Sequence, residues 1–160
     1  MAEKLRNKAP HIEKSEEEGS VYFTVFWSRF GKVDKYDIIT KVPEQAGILE
    51  LYYMDEHHRI FPMYTQRVWY GGLRSRLRRI TDPELVLDPL HKKTLERYDC
   101  YYRYTLTESM GDMLDLIHFF SLSYLPEQLP PQHSGRYEKI YVEEITPDKI
   151  TDIGEGDEND

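Results

Sequence analysis

Three carboxylates, Glu108, Asp112 and Asp115, fall at helical spacing in one amphipathic stretch, close enough on a helix face to gather a hard cation such as Mg²⁺ or Mn²⁺. The competing reading is the solvated face of an ordinary helix. His118 could join them, although a histidine beside Phe119 and Phe120 also suits a half-buried position. Upstream, Arg67, Arg74, Arg76, Arg78 and Arg79 are interleaved with Trp69 and Tyr70. Guanidinium groups beside aromatics suit phosphate contact and base stacking, which points to nucleic acid as the partner. The alternative is that these arginines pair with Asp82, Glu84 and Asp88 or with the acidic C-terminus. Gly71-Gly72 could open an anion-holding loop or simply turn a strand into a helix. His57-His58 reads as turn polarity, and the lone Cys100 as a buried thiol.

These residues need elements to hold them. Val21 to Trp27 (VYFTVFW) is β-branched and aromatic, so a strand is predicted there, and Tyr36 to Lys41 reads as a second short extended piece. Gly47 to Met54 and Arg59 to Val68, joined by a short polar link, predict an antiparallel hairpin. Strand alternation puts Leu49, Leu51 and Tyr53 on one face, the better core candidate, and Ile48, Glu50 and Tyr52 on the other. Leu73, Leu77 and Ile80 make a helical stripe under the arginines, and Asp82-Pro83 ends that helix. Glu84 to Arg97 is helical in pattern but interrupted by Pro89, and Asp99 to Leu106 is strand-like. Thr107 offers an N-cap for a long helix reaching Leu125, with Glu108 at its positive end. Tyr137 to Ile145 alternates as a last strand at a sheet edge.

The chain has 160 residues, 39% hydrophobic and 31% charged, with 13 tyrosines, which is the scale of one globular domain. Its net charge of −8 is carried by its ends: from Glu143 onward eight acidic residues face Lys149 alone, whereas 20–142 is neutral. An acidic tail from 147 is expected to be disordered, and residues 1–19 to be a flexible leader. No apolar run approaches a membrane span and the N-terminus is too polar for a signal peptide, so a cytoplasmic protein without membrane contact is expected.

From Val42 onward the order is hairpin, arginine helix, helix, strand, long helix, and there the sequence resembles the GIY-YIG nuclease superfamily. The nearest pattern is the domain of that type at the N-terminus of the bacterial excision-repair nuclease. Pro43 precedes Gly47-Ile48-Leu49, and Tyr64-Thr65-Gln66-Arg67 stands where Tyr-Val-Gly-Lys belongs in that family. Arg76 follows Leu73 at the family's spacing, after two extra residues. Thr105-Leu106-Thr107-Glu108 and then Asp115 match the later pattern, in which a glutamate is catalytic. The resemblance covers about Val42 to Leu125. It implies a one-metal phosphodiesterase in which Asp115, with Glu108, holds Mg²⁺ or Mn²⁺, Arg76 stabilises the phosphate transition state and Tyr64 positions water. It also implies trouble for catalysis. Leu49 replaces the water-activating tyrosine, Gln66 replaces a glycine, and the Asp115 carboxylate reaches about an ångström less far than glutamate would. Of the neighbouring tyrosines, only Tyr53 shares the strand face of Leu49 and could stand in.

The expectation is thus a single α/β (α+β) domain over residues 20–146, a small and mostly antiparallel sheet flanked by helices. The expected function is nucleic-acid binding with nuclease activity lost or altered. The alternatives are a protein-interaction module on the same scaffold and an active endonuclease with a rearranged site.

Overall fold

A computed structural model describes residues 8–148; residues 1–7 and most of the expected acidic tail lie outside the described residues. The fold is a small α+β domain whose strands divide between two sheets. In chain order the elements are β1 (His11–Glu17), β2 (Ser20–Phe26), β3 (Gly31–Lys32), α1 (Lys35–Lys41), β4 (Gly47–Met54), β5 (Ile60–Val68), α2 (Gly72–Thr81), α3 (Pro89–Arg97), β6 (Asp99–Leu106), α4 (Met110–Tyr124) and β7 (Lys139–Ile145). The first sheet has the order β1-β2-β7, with β7 parallel to β2, and the second has the order β3-β6-β4-β5, antiparallel throughout. Among the described residues no helix is long and apolar enough to cross a membrane.

The predicted hairpin, the strand at Asp99–Leu106 and the arginine helix form as expected. The flexible leader does not hold between His11 and Glu17, which is a strand in register with β2 from His11 opposite Phe26 to Glu17 opposite Ser20. Glu18 and Gly19 both take positive φ, 48° and 82°, as a two-residue type I′ hairpin turn requires. Most β1 side chains face solvent, so the segment is charged in composition while its backbone ladder supplies the pairing. His11 stacks on Phe26 at 4.5 Å, Ile12 packs on the core, and Lys14 and Glu16 reach Asp112 and Tyr137 respectively.

Residues 35–41 are helical rather than extended. The Asp34 side chain caps the turn by accepting from the Asp37 N–H at 2.9 Å, and Ile38 is buried under it. Pro89 opens α3 instead of interrupting a longer helix, with the Asp88 carboxylate accepting from the Leu90 N–H at 3.0 Å. The N-cap of α4 is Ser109, two residues beyond the expected Thr107, which leaves Glu108 outside the helix.

Strand β4 is central in its sheet and buried on both faces. Its Leu49 and Leu51 join Ile38, Val42, Leu73 and Leu77 in one core, under α1 and α2. Its Ile48 joins a second core with Val21, Phe23 and Val25 of the first sheet and Met113, Leu116 and Phe120 of α4. The second sheet therefore separates α2 from α4. At the start of β4 the chain lies so close to β6 that a Cβ on Gly47 would stand 2.0 Å from the Thr105 carbonyl oxygen. Gly47→Ala should force the strands apart and destabilise the protein by at least about 2 kcal/mol, read as a lower urea midpoint at unchanged m-value; an unchanged midpoint would contradict the close approach.

Candidate functional site

The arginines of α2 are set by its amphipathic stripe. Leu73 and Leu77 are buried, so Ser75, Arg78 and Arg79 turn outward while Arg74 and Arg76 flank them. Arg74 Nε donates to the Val42 carbonyl at 2.8 Å, and Arg76 Nη1 donates to Gln66 Oε1 at 3.2 Å. Arg67 is exposed on the neighbouring strand β5, the free edge of the second sheet. Among the described residues none of these five arginines forms an ion pair, whereas Arg59, Arg97, Arg103 and Arg136 all do. The anticipated pairing with Asp82, Glu84 and Asp88 does not form, and the other anticipated partner, the acidic C-terminus, lies mostly outside the described residues. Tyr70, 82% exposed, stands at the turn into α2, whereas Trp69 is partly buried against the second core.

The Gly71-Gly72 turn is no open anion loop. The Glu44 side chain already occupies it, accepting from the Ser75 N–H at 3.1 Å and the Ser75 hydroxyl at 2.7 Å, and a Cβ on Gly72 would meet its carboxylate. Gln45 and Pro43 carbonyls take the Leu73 and Arg74 N–H groups. The positive end of the helix is thus satisfied from within the chain.

The residues implied by the nuclease resemblance do not converge. Tyr64 lies on the α2 side of the sheet, edge-on to His91 at 4.9 Å. Tyr53 sits near the hairpin end between Phe61 and Tyr98, at 5.2 and 5.1 Å. Asp115 belongs to α4, across the sheet, and is 1% exposed. Its carboxylate accepts from the Ser134 N–H at 2.8 Å, the Ser134 hydroxyl at 2.9 Å and Arg136 Nη2 at 2.7 Å. Asp112 is held by Lys14 and Arg136, each at 3.0 Å. The expected cation site at Asp115 and Glu108 is therefore replaced by protein cations around Asp112 and Asp115, with Glu108 off the helix. Among the described residues no group of three or more His, Cys, Asp or Glu stands together as a metal-holding cluster. His118 Nδ1 is engaged by the Pro131 carbonyl at 2.7 Å. Cys100 is buried, which pushes its thiol up to about 11, with Asp99 adding to the shift, so it behaves as core.

The main polar cluster lies elsewhere, on the α4 side of the sheet. Glu50 and Arg103 face each other across β4 and β6, with Arg103 Nε 2.5 Å from Glu50 Oε1. The Tyr52 hydroxyl donates to Glu50 at 2.9 Å, and the Thr65 hydroxyl donates to the same carboxylate at 3.3 Å. Behind them Glu144 of β7 accepts from Trp27 Nε1 at 2.9 Å and from the Tyr124 hydroxyl at 2.6 Å, and lies 3.5 Å from Arg103 Nη2. The guanidinium is also set against the Trp27 ring at 4.3 Å and the Phe30 ring at 5.1 Å. Burial works against the Arg103 charge, but Glu50, Tyr52 and Glu144 outweigh it and hold its pKa above the ordinary value. Burial, and then the Glu50 charge, push the Tyr52 hydroxyl far upward.

Two hollows adjoin β5 and share Thr65. One, of about 340 Å³, is lined by Gln66, Arg67, Arg76, Leu114 and Ile117. The other, of about 420 Å³, has Glu50 and Arg103 in its lining, with Tyr52, Phe120 and Tyr124.

A family model described as "Uncharacterised protein" matches residues 11–159. The chain belongs to that family. No curated protein and no solved structure matches it. The family's span begins where β1 begins, so both sheets fall within the unit it describes.

The Glu50–Arg103 pair is absent from the sequence-based site list, though it left a signal. Each is a lone charge amid apolar or aromatic neighbours of a predicted strand, and choosing one face of β4 as the core hid the fact that the other is buried too. Arg103→Met leaves the buried Glu50 and the half-buried Glu144 without their shared cation and should lower stability by about 3–5 kcal/mol. Adding Glu50→Leu should then recover at least about 1 kcal/mol of that loss, a non-additivity measured by urea unfolding of both single variants and the double.

Proposed function

We propose that the chain is a GIY-YIG-like domain that binds nucleic acid through the arginine face of α2 and the adjoining edge of β5, with metal-dependent cleavage lost or altered. The observation that carries this reading is the set of five guanidinium groups without an ion pair among the described residues, in a chain whose other buried and half-buried cations are paired. Like charges gathered on one helix and its neighbouring strand repel one another, and a polyanion would relieve that repulsion. The hairpin, arginine helix, helix, strand, long helix order supports the resemblance, as does the steric need for glycine at position 47. The loss of cleavage is supported by Leu49 lying in the core, by Gln66 engaging Arg76, and by Asp115 saturated with donors from Ser134 and Arg136.

Fluorescence anisotropy with short single- and double-stranded oligonucleotides over a salt series tests the binding. The association constant should fall steeply with salt, and Arg78→Ala/Arg79→Ala should reduce the slope of log K against log salt by about 2. Absent or salt-independent binding would remove the reading. In the same preparation, nicking of supercoiled plasmid with Mg²⁺ or Mn²⁺ should stay at background. Metal-dependent nicking that disappears in Arg76→Ala would instead establish an active nuclease.

A protein-interaction role is the second reading, favoured by Leu85, Leu87 and Leu90, which stand exposed around the start of α3. It would replace the first if oligonucleotides fail to bind.

A further inference from the structure

The larger hollow beside β5 has the makings of a ligand site that is separate from the arginine face, since none of the five α2 and β5 arginines lines it. Its walls are the aromatic and apolar side chains of Tyr52, Met63, Phe120, Tyr124 and Leu125, and its polar part is Glu50, Thr65 and Arg103. It opens to solvent past Pro62, Ser121 and Leu125, which are exposed or half-buried. At about 420 Å³ it has the size, and the mostly apolar lining with a few convergent polar groups, of a small-molecule site.

The hydrogen-bond directions fix which chemistry it would accept. The hydroxyls of Tyr52 and Thr65 donate into Glu50, and that of Tyr124 donates into Glu144. Arg103 donates Nε to Glu50 and lies with Nη2 3.5 Å from Glu144, so part of its guanidinium remains in the lining as a donor. With these protons committed, the three hydroxyls keep only oxygen lone pairs for a guest. The charges agree: Glu50 and Glu144 share the single cation Arg103, so the set carries one net negative charge in a buried setting. The phenol and phenyl faces of Tyr52, Phe120 and Tyr124 present negative π density. A donor-rich cation with an apolar body answers the net charge, the hydroxyl lone pairs and the aromatic walls, whereas a carboxylate or phosphate would find only the Arg103 guanidinium, already set between two carboxylates.

We propose that this hollow binds a small organic amine, its ammonium group seated toward Glu50, Thr65 and Tyr52 and its aromatic or branched apolar body against Phe120 and Tyr124. The site would add a small-molecule input beside the arginine-lined hollow with which it shares Thr65, and it stands whether or not the arginine face binds nucleic acid.

The test is a titration of the full chain, followed by two-dimensional ¹⁵N–¹H NMR, with phenethylamine and its isosteric controls phenethyl alcohol and phenylpropionate. The amine should bind saturably with a Kd of about 1 mM or tighter, shifting the amides of Thr65, Ser121 and Tyr124. The neutral and anionic controls should bind at least about tenfold more weakly. Ser121→Trp, which fills the mouth from the surface of α4 without touching the Glu50–Arg103 network, should abolish the shifts in a protein whose spectrum remains folded. Glu50→Gln should weaken binding about tenfold or more. No saturable binding of the amine, equal binding of either control, or undiminished binding by Ser121→Trp would overturn the proposal. A capped lysine tripeptide binding more tightly than phenethylamine would overturn its assignment to a free amine.

Discussion

The structure depends on one buried guanidinium. Arg103 sits in the strand beside central β4, is 7% exposed, and is the cation shared by Glu50 of its own sheet and Glu144 of the other. Removing three charged groups from water costs several kcal/mol for each before any of it is returned by their attraction. The return comes from geometry: Tyr52, Thr65, Trp27 and Tyr124 donate to the two carboxylates, and the Trp27 and Phe30 rings are set against the cation. These partners come from β4, β5, β7, α4 and the segment after β2. A network so widely sourced is complete only when both sheets and α4 have docked, so it ties the hydrophobic cores to one relative placement of the layers.

The two faces of the second sheet then take different roles. Toward α2 the packing is mainly aliphatic, from Leu49, Leu51, Leu73 and Leu77, with Cys100 and Tyr102 in the same core and no buried ion pair within it. It holds a helix whose outward side is free to be basic, and Glu44 satisfies that helix's first turn from inside the chain. Toward α4 the sheet carries Ile48 in the core and Glu50, Tyr52 and Arg103 beside it. Polar groups that are buried but not fully closed over leave a hollow, and that hollow inherits their charge.

Much of the scaffold was legible in the sequence because its signals are local. β-branched and aromatic runs marked β2, β4, β5 and β6, and the leucine stripe marked α2. What escaped depended on partners far along the chain. β1 is charged because solvent covers its side chains, and only the ladder with β2 makes it a strand, although Glu18-Gly19 was a hairpin turn in plain sight. The α1 segment has the β-branched look of a strand in Ile38-Ile39-Thr40, and the Asp34 cap decides it. The carboxylates of Asp112 and Asp115 read as metal ligands only while Lys14 and Arg136 were unplaced; those cations come from 98 and 21 residues away.

The same logic bears on charge. An overall −8 would repel a polyanion if it were spread evenly, but within a Debye length of about 8 Å at physiological salt what counts is the local set. Near the β4–β6 centre the local set is two carboxylates and one guanidinium, and along α2 it is four arginines beside Arg67 with Glu44 turned inward to the helix start. The two sets approach each other at the edge strand β5, where the hollow lined by Arg67 and Arg76 shares Thr65 with the one lined by Glu50 and Arg103. One small domain therefore carries basic and acidic sets side by side, and they stay distinct because Glu50 and Glu144 are already engaged by Arg103 while the arginines of α2 turn to solvent.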